Sequence, residues 1–158
     1  MKLSTQEEFG LRCLVQLGRE AGASLTIAEL AQREGISVPN VAKIMRGLRK
    51  GSFVKSTRGQ AGGYTLARAP ETISIGEVLA TLGGRFFDAK FCERHAGIEA
   101  LCMNLGDCSI RPVLRQLQDV IDQVLGRLTL QNLLGSEGQV PMPPISPKAV
   151  ALPVAARN

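Results

Sequence analysis

Residues 26–66 read TIAELAQREGISVPNVAKIMRGLRKGSFVKSTRGQAGGYTL. Thr26-x-x-Glu29 has the form of a capping box. It opens a helix with Ile27, Leu30 and Ala31 on one face, ending near Gly35. Ser37 stands at the N-cap of the next helix, where the early Pro39 is tolerated because first-turn amides have no intrahelical partner. Val41, Ile44, Met45 and Leu48 follow at helical spacing, and Gly51 ends the run. Phe53-Val54-Lys55-Ser56-Thr57 and Tyr64-Thr65-Leu66 are β-prone segments on either side of the glycine-rich Arg58-Gly59-Gln60-Ala61-Gly62-Gly63, which predicts a hairpin.

Upstream, Thr5-x-x-Glu8 or Ser4-x-x-Glu7 opens a first helix with Phe9, Cys13, Leu14 and Leu17 on one side. Helix, helix, helix, hairpin is the order of a winged helix-turn-helix. The expected fold is therefore mainly α with a small β-hairpin. Downstream, Ser74-x-x-Glu77 opens a short helix with Ile75, Val78, Leu79 and Leu82, closed by Gly83-Gly84. A long helix is expected from about Ile110 to Leu134. Its Leu114, Leu117, Ile121, Val124 and Leu128 recur in three- and four-residue steps, a narrow apolar seam suited either to its own domain or to a dimer partner, with the dimer preferred. The expected organisation is a winged-helix domain at 1–83, a loop at 84–109, a dimerisation helix at 110–134 and a proline-rich tail at 135–158 with no assigned function and little fixed structure.

The chain of 158 residues and 16.9 kDa suits one compact domain with an appendage. Its 44% hydrophobic content supports a core, and 4% aromatics with no Trp make that core aliphatic. No apolar leader or membrane-length stretch is visible, so a cytoplasmic protein without membrane association is expected. No phosphate-binding loop and no Ser/His/Asp set is present, and there is a single His. These features speak against an enzyme.

The net charge of +5 is unevenly distributed. Residues 1–68 carry eleven Lys/Arg against five acids, whereas residues 69–158 carry eight against nine. From Lys43 to Arg58 six basic residues face no acid, the footprint of a double-stranded DNA partner. In a helix-turn-helix the second helix of the motif enters the major groove. That places Ser37, Pro39, Asn40 and Lys43 at the base edges, with Asn40 suited to adenine and Lys43 to guanine or phosphate. Arg46 lies further along toward the backbone. Arg58 stands at the wing, where a guanidinium can enter a narrow minor groove, and Gly59 lets the wing backbone approach the duplex.

Cys92, Cys102 and Cys108 are spaced C-x9-C-x5-C in a polar, glycine-interrupted segment. Thiols this close in a protein without a secretory leader point to metal or redox chemistry before disulfides. Cys13, on the apolar face of the first helix, reads as a core residue.

The opening Met1-Lys2-Leu3-Ser4, the helix start Gly35-Ile36-Ser37, the wing Arg58 to Tyr64 and the cysteine triplet before a long helix together resemble the iron–sulfur-dependent winged-helix regulators of the IscR and NsrR type, over about residues 1–134. The resemblance implies a homodimeric transcription regulator, a repressor, that binds a near-palindromic operator. It implies an iron–sulfur cluster on Cys92, Cys102 and Cys108, with a 4Fe–4S form preferred over 2Fe–2S, sensing iron or cluster status, oxygen or nitric oxide. The first cysteine spacing is longer than is usual in that family. Arg111 stands where the cluster-assembly regulators have a ligating His. Glu8 matches the position from which nitric oxide sensors supply a carboxylate, and it is the expected fourth ligand. It is equally suited to a capping box or an ion pair with Arg12, and His95 or a non-protein ligand stays open. A zinc- or thiol-redox regulator using the same cysteines is the alternative.

Overall fold

The computed structural model describes residues 3–20, 22–57, 62–88, 90–94, 102, 104 and 106–141. The chain divides into two compact units. The first comprises residues 1–84 and 125–143, and the second comprises residues 85–124 and 144–158.

In the first unit, helix α1 spans Thr5–Arg19. Of the two possible capping boxes, Ser4 with Glu7 forms, leaving Glu8 outside it. Helix α2 (Ile27–Glu34) begins at the Thr26–Glu29 box and ends at Gly35 in the left-handed conformation, φ 65°. Helix α3 (Val38–Lys50) buries Val41, Ile44, Met45 and Leu48, the four positions expected from its spacing. Ser37 occupies its N-cap, but its hydroxyl makes no capping hydrogen bond. The hairpin follows as strands β1 (Val54–Thr57) and β2 (Gly63–Leu66), antiparallel with Val54 opposite Leu66 and Thr57 opposite Gly63. Leu25 pairs with Tyr64 through two backbone hydrogen bonds of 3.0 and 2.8 Å. This edge passes so close to Gly63 that a Cβ there would stand 2.7 Å from the Leu25 carbonyl oxygen. Residue 63 therefore has to be glycine for the hairpin to dock.

Helix α4 (Ile75–Gly83) starts at Ser74 without the expected side-chain cap, because Glu77 turns instead to Arg68 at 2.8 Å. Gly84, φ 84°, ends it as the double glycine predicts. Cys13, Leu14, Leu30, Val41, Met45, Leu48, Ile73 and Val78 are fully buried, and Phe53 adds an aromatic ring to this otherwise aliphatic core.

The long helix expected over 110–134 is two helices. Helix α6 spans Ile110–Leu125 and helix α7 spans Leu130–Leu134. Between them the backbone leaves the helix to pair with the start of α4. The Ile75 N–H donates to Leu128 at 2.9 Å, and the Leu130 N–H donates to Ile73 at 2.9 Å. Thr129 then caps α7 in a box with Asn132. Gly126 and Thr129 break helical propensity here, and burial of Leu130 stabilises the return. Helix α6 begins at Ile110, where it is expected, but ends at Leu125, and residues 125–143 belong to the first unit. Of the expected tail, residues 135–141 are described and include a short 3-10 turn at Glu137–Gln139. Residues 142–158 lie outside the described residues.

In the second unit, helix α5 (Phe91–Arg94) precedes α6. Asp88 accepts the Lys90 N–H at 3.0 Å and both terminal nitrogens of Arg94 at 3.0 Å, which fixes the turn into α5. These hydrogen bonds, Arg94 foremost, hold the Asp88 carboxyl below the usual aspartate range.

Candidate DNA interface and thiol segment

Helix α3 turns one face to the core and the other outward. Ser37, Val38, Pro39, Asn40, Lys43, Arg46, Arg49 and Lys50 are exposed, as is Lys55 on β1. None of these basic residues has an ion-pair partner among the described residues. Elsewhere in the same unit Arg12 pairs with Glu34 at 2.6 Å, Arg68 pairs with Glu77, and Arg33 pairs with Glu20. Charges that brace the fold are neutralised and those along α3 are not. An uncompensated cationic stripe costs self-repulsion, which a polyanion relieves. Ser37 accepts no capping N–H, so its hydroxyl is not held in the capping orientation and can turn to donate to an external acceptor.

The structure thus brings Ser37, Pro39, Asn40, Lys43 and Arg46 onto one exposed face at the front of α3. Arg58 and Gly59, at the tip of the hairpin, lie outside the described residues. Sequence reasoning passed over Val38, which is 51% exposed at the first position of α3. An apolar group there, among polar neighbours, is suited to a thymine methyl. The signal was legible as the one position of the Ser37–Val41 run outside the apolar spacing.

The four cysteines are free and fall into two environments. Cys13 is completely buried, and burial pushes its thiol up to about 11. It is a core residue, as expected. Cys92 on α5, Cys102 and Cys108 are half-buried, and Cys108 stands two residues before the start of α6. His95 lies outside the described residues. Glu8 is exposed on α1, 3.6 Å from Arg12. Three thiols are a donor set that suits an iron–sulfur cluster or zinc. The fit is chemical: among the described residues no three His, Cys, Asp or Glu side chains converge into a ready-made metal cage.

Cys92 opens onto a cleft of about 670 Å³ that is also lined by Arg85, Phe87, Asp88, Arg111, Arg115, Gln118 and Asp119. Sequence reasoning saw Arg111 only as a missing ligand. The other arginines are spread over thirty positions and converge only through the fold.

An exposed cationic helix, a docked hairpin and a cysteine segment before α6 are now in place. The profile of the Rrf2 family, described as an iron-dependent transcriptional regulator, matches residues 3–136. The chain belongs to the Rrf2 family. Protein rrf2 of Nitratidesulfovibrio vulgaris is 31% identical over 135 residues, covering 85% of this chain and 87% of that protein. The transcriptional regulator IscR of Escherichia coli is 29% identical over 139 residues, covering 87% and 82%. Among solved structures, IscR of T. potens superposes with a TM-score of 0.65 at 29% identity, covering 85% of this chain and 86% of that one. CymR, the global cysteine regulator of B. subtilis, superposes with a TM-score of 0.67 at 24% identity, covering 85% and 96%, and shares the fold. This Rrf2-family protein is a DNA-binding transcription regulator with a winged helix, and not an enzyme. No helix among its described residues is long and apolar enough to cross a membrane.

Proposed function

We propose that this Rrf2-family regulator is a homodimeric repressor whose operator affinity is set by an iron–sulfur cluster on Cys92, Cys102 and Cys108. Glu8, supplied from the first helix of the other copy, is the proposed fourth ligand. The observation that carries this reading is the contrast among the thiols. One is sealed in the core, while three half-buried ones fall together between residues 92 and 108 of a chain whose family is described as iron-dependent.

On DNA, Asn40 and Lys43 read base edges, Val38 meets a thymine methyl, and Ser37 and Arg46 hold phosphates. Pro39 keeps the first turn of α3 rigid as it enters the groove. Arg58 and Gly59 carry the wing to the minor groove. When bound, the cluster supplies a centre sensitive to oxidation and to nitric oxide. The protein's own part is to fix Cys92 on α5 and Cys108 at the head of α6, so that ligation would tie α5 to the start of α6. In a dimer, half-sites lie about 34 Å apart, and a small change in α6 alters the match of two recognition helices to that spacing. Iron status, oxygen or nitric oxide is the signal this chemistry serves, with 4Fe–4S ahead of 2Fe–2S.

Anaerobically purified protein should show visible absorption with matching iron and sulfide, lost in Cys92→Ser, Cys102→Ser and Cys108→Ser. Colourless protein with stoichiometric zinc would overturn the cluster reading. A zinc- or thiol-based regulator is the second reading, since three half-buried free thiols suit zinc or thiol chemistry as well as a cluster.

A further inference from the structure

We propose that the cleft of the second unit is a receptor for a small apolar α-amino acid, bound as its zwitterion. The inference stands on the charges of the cleft and concerns the metal-free chain, in which Cys92 carries no cluster. Arg115 and Asp119 both line it, one turn apart on α6. Opposite charges at i and i+4 of a helix can pair, though less favourably with the cation first, as here, and both side chains are exposed. These two do not pair, and neither has another ion-pair partner among the described residues.

The remaining charges nearby are spent. Asp88 is held by Arg94 through two hydrogen bonds of 3.0 Å, and Arg85 by Asp122. Gln118, 5% exposed and uncharged, has its carbonyl on the Phe87 N–H and its amide on Asp122, so it adds no charge to the cleft. Arg111, which also lines the cleft, is engaged as well, so the cleft presents Arg115 as its open cation, Asp119 as its open anion, and an apolar wall. That wall is Phe87, whose ring packs 5.1 Å from Phe91.

A carboxylate and an ammonium on a single carbon answer both charges at once. The carboxylate goes to Arg115 and the ammonium to Asp119, and an apolar side chain lies against Phe87. A simple anion would leave Asp119 unanswered, and a simple amine would leave Arg115 unanswered. At about 670 Å³ the cleft has room for such a molecule. Its occupant would also cover the Cys92 thiol, giving the regulator an input at α6 that requires no metal.

The test follows labelling of Cys92 by N-ethylmaleimide in the full-length, reduced, metal-free chain, resolved by peptide mass mapping with Cys108 as internal reference. The probes are L-leucine, L-leucinamide, which lacks the carboxylate, and 4-methylpentanoate, which lacks the ammonium. At about ten times its dissociation constant, leucine should slow Cys92 labelling roughly tenfold and leave Cys108 unchanged, while the two analogues protect neither. Arg115→Ala and Asp119→Asn should each abolish protection, and the exchange Arg115→Asp with Asp119→Arg should restore it. The proposal is overturned if leucine, methionine and phenylalanine all fail to protect at millimolar concentration. It is equally overturned if the analogues protect as well as leucine, or if the single variants remain protected. Cluster assembly, read separately by absorption, is untouched by any of these outcomes.

Discussion

The side-chain carbonyl of Gln118 accepts the backbone N–H of Phe87 at 2.9 Å, across 31 positions of sequence. The other end of the same amide donates to Asp122 at 2.8 Å. Gln118 is the one buried polar side chain on α6 among the described residues. It fastens the segment ahead of Cys92 to the helix that follows Cys108. Gln118→Leu keeps the bulk but leaves the Phe87 N–H without its acceptor, at a cost of about 1–3 kcal/mol. Hydrogen exchange at the Phe87 amide should accelerate by the corresponding factor, while amides of α1 to α4 keep their protection. Unchanged exchange at Phe87 would show that the segment is held by other means.

Lys43 and Arg46 lie one turn apart on the exposed face of α3 and should behave differently on DNA. Lys43→Ala removes a group at the base edges. It should cost about 1–3 kcal/mol on the operator and relax preference at one position. Arg46→Ala removes a phosphate contact, so binding weakens to a similar degree on all sequences and the slope of log K against log salt falls by about one. Fluorescence anisotropy on operator and scrambled duplexes over a salt series separates the two. Equal losses on every duplex from both variants would remove Lys43 from base readout.

Stability should carry an acid-side signature from the start of α2. The Glu29 carboxylate accepts the Thr26 N–H at 2.7 Å and the Thr26 hydroxyl at 2.8 Å, and these bonds hold its carboxyl below the usual glutamate range. A group whose folded value is depressed stabilises the fold above its unfolded value, about pH 4, and that contribution disappears as pH falls through the folded value. Glu29→Gln keeps a hydrogen-bonding amide but does not titrate. Wild type should therefore exceed the variant in urea midpoint at neutral pH, and the gap should close below about pH 4. A gap independent of pH would assign the effect to shape instead of charge.

The winged helix was legible because its signals are local. The Thr26–Glu29 box, the spacing from Val41 to Leu48, and the stop at Gly51 act within a few residues of themselves. The break in the last long helix was not legible. The steps from Leu114 to Leu128 run evenly across Gly126, and the weak helix formers Gly126 and Thr129 end α6 only together with the long-range pairing of residues 128–130 with residues 73–75. Ser74 misled for the same reason, its expected box partner Glu77 being drawn to Arg68. The cysteine triplet was visible as spacing. The setting of Cys92, a cleft with Arg115 and Asp119 left unpaired, depends on residues far apart in sequence.

Cys13 supplies a contrast that tests the division of thiols directly. It is fully buried, and its thiol is pushed up to about 11, whereas Cys92, Cys102 and Cys108 are accessible. The thiolate is the reacting species, so burial and the raised value act in the same direction on Cys13. In metal-free, reduced protein at pH 8, iodoacetamide should label the three loop cysteines and spare Cys13 until denaturant is added. Cys13→Ser buries a hydroxyl where the thiol met an apolar environment, and should cost about 1–3 kcal/mol in urea unfolding. Cys13→Ala should cost less, because it leaves no polar group to satisfy. Labelling of Cys13 in the native state at a rate like that of the loop thiols would show that the core around α1 opens far more readily than its packing implies.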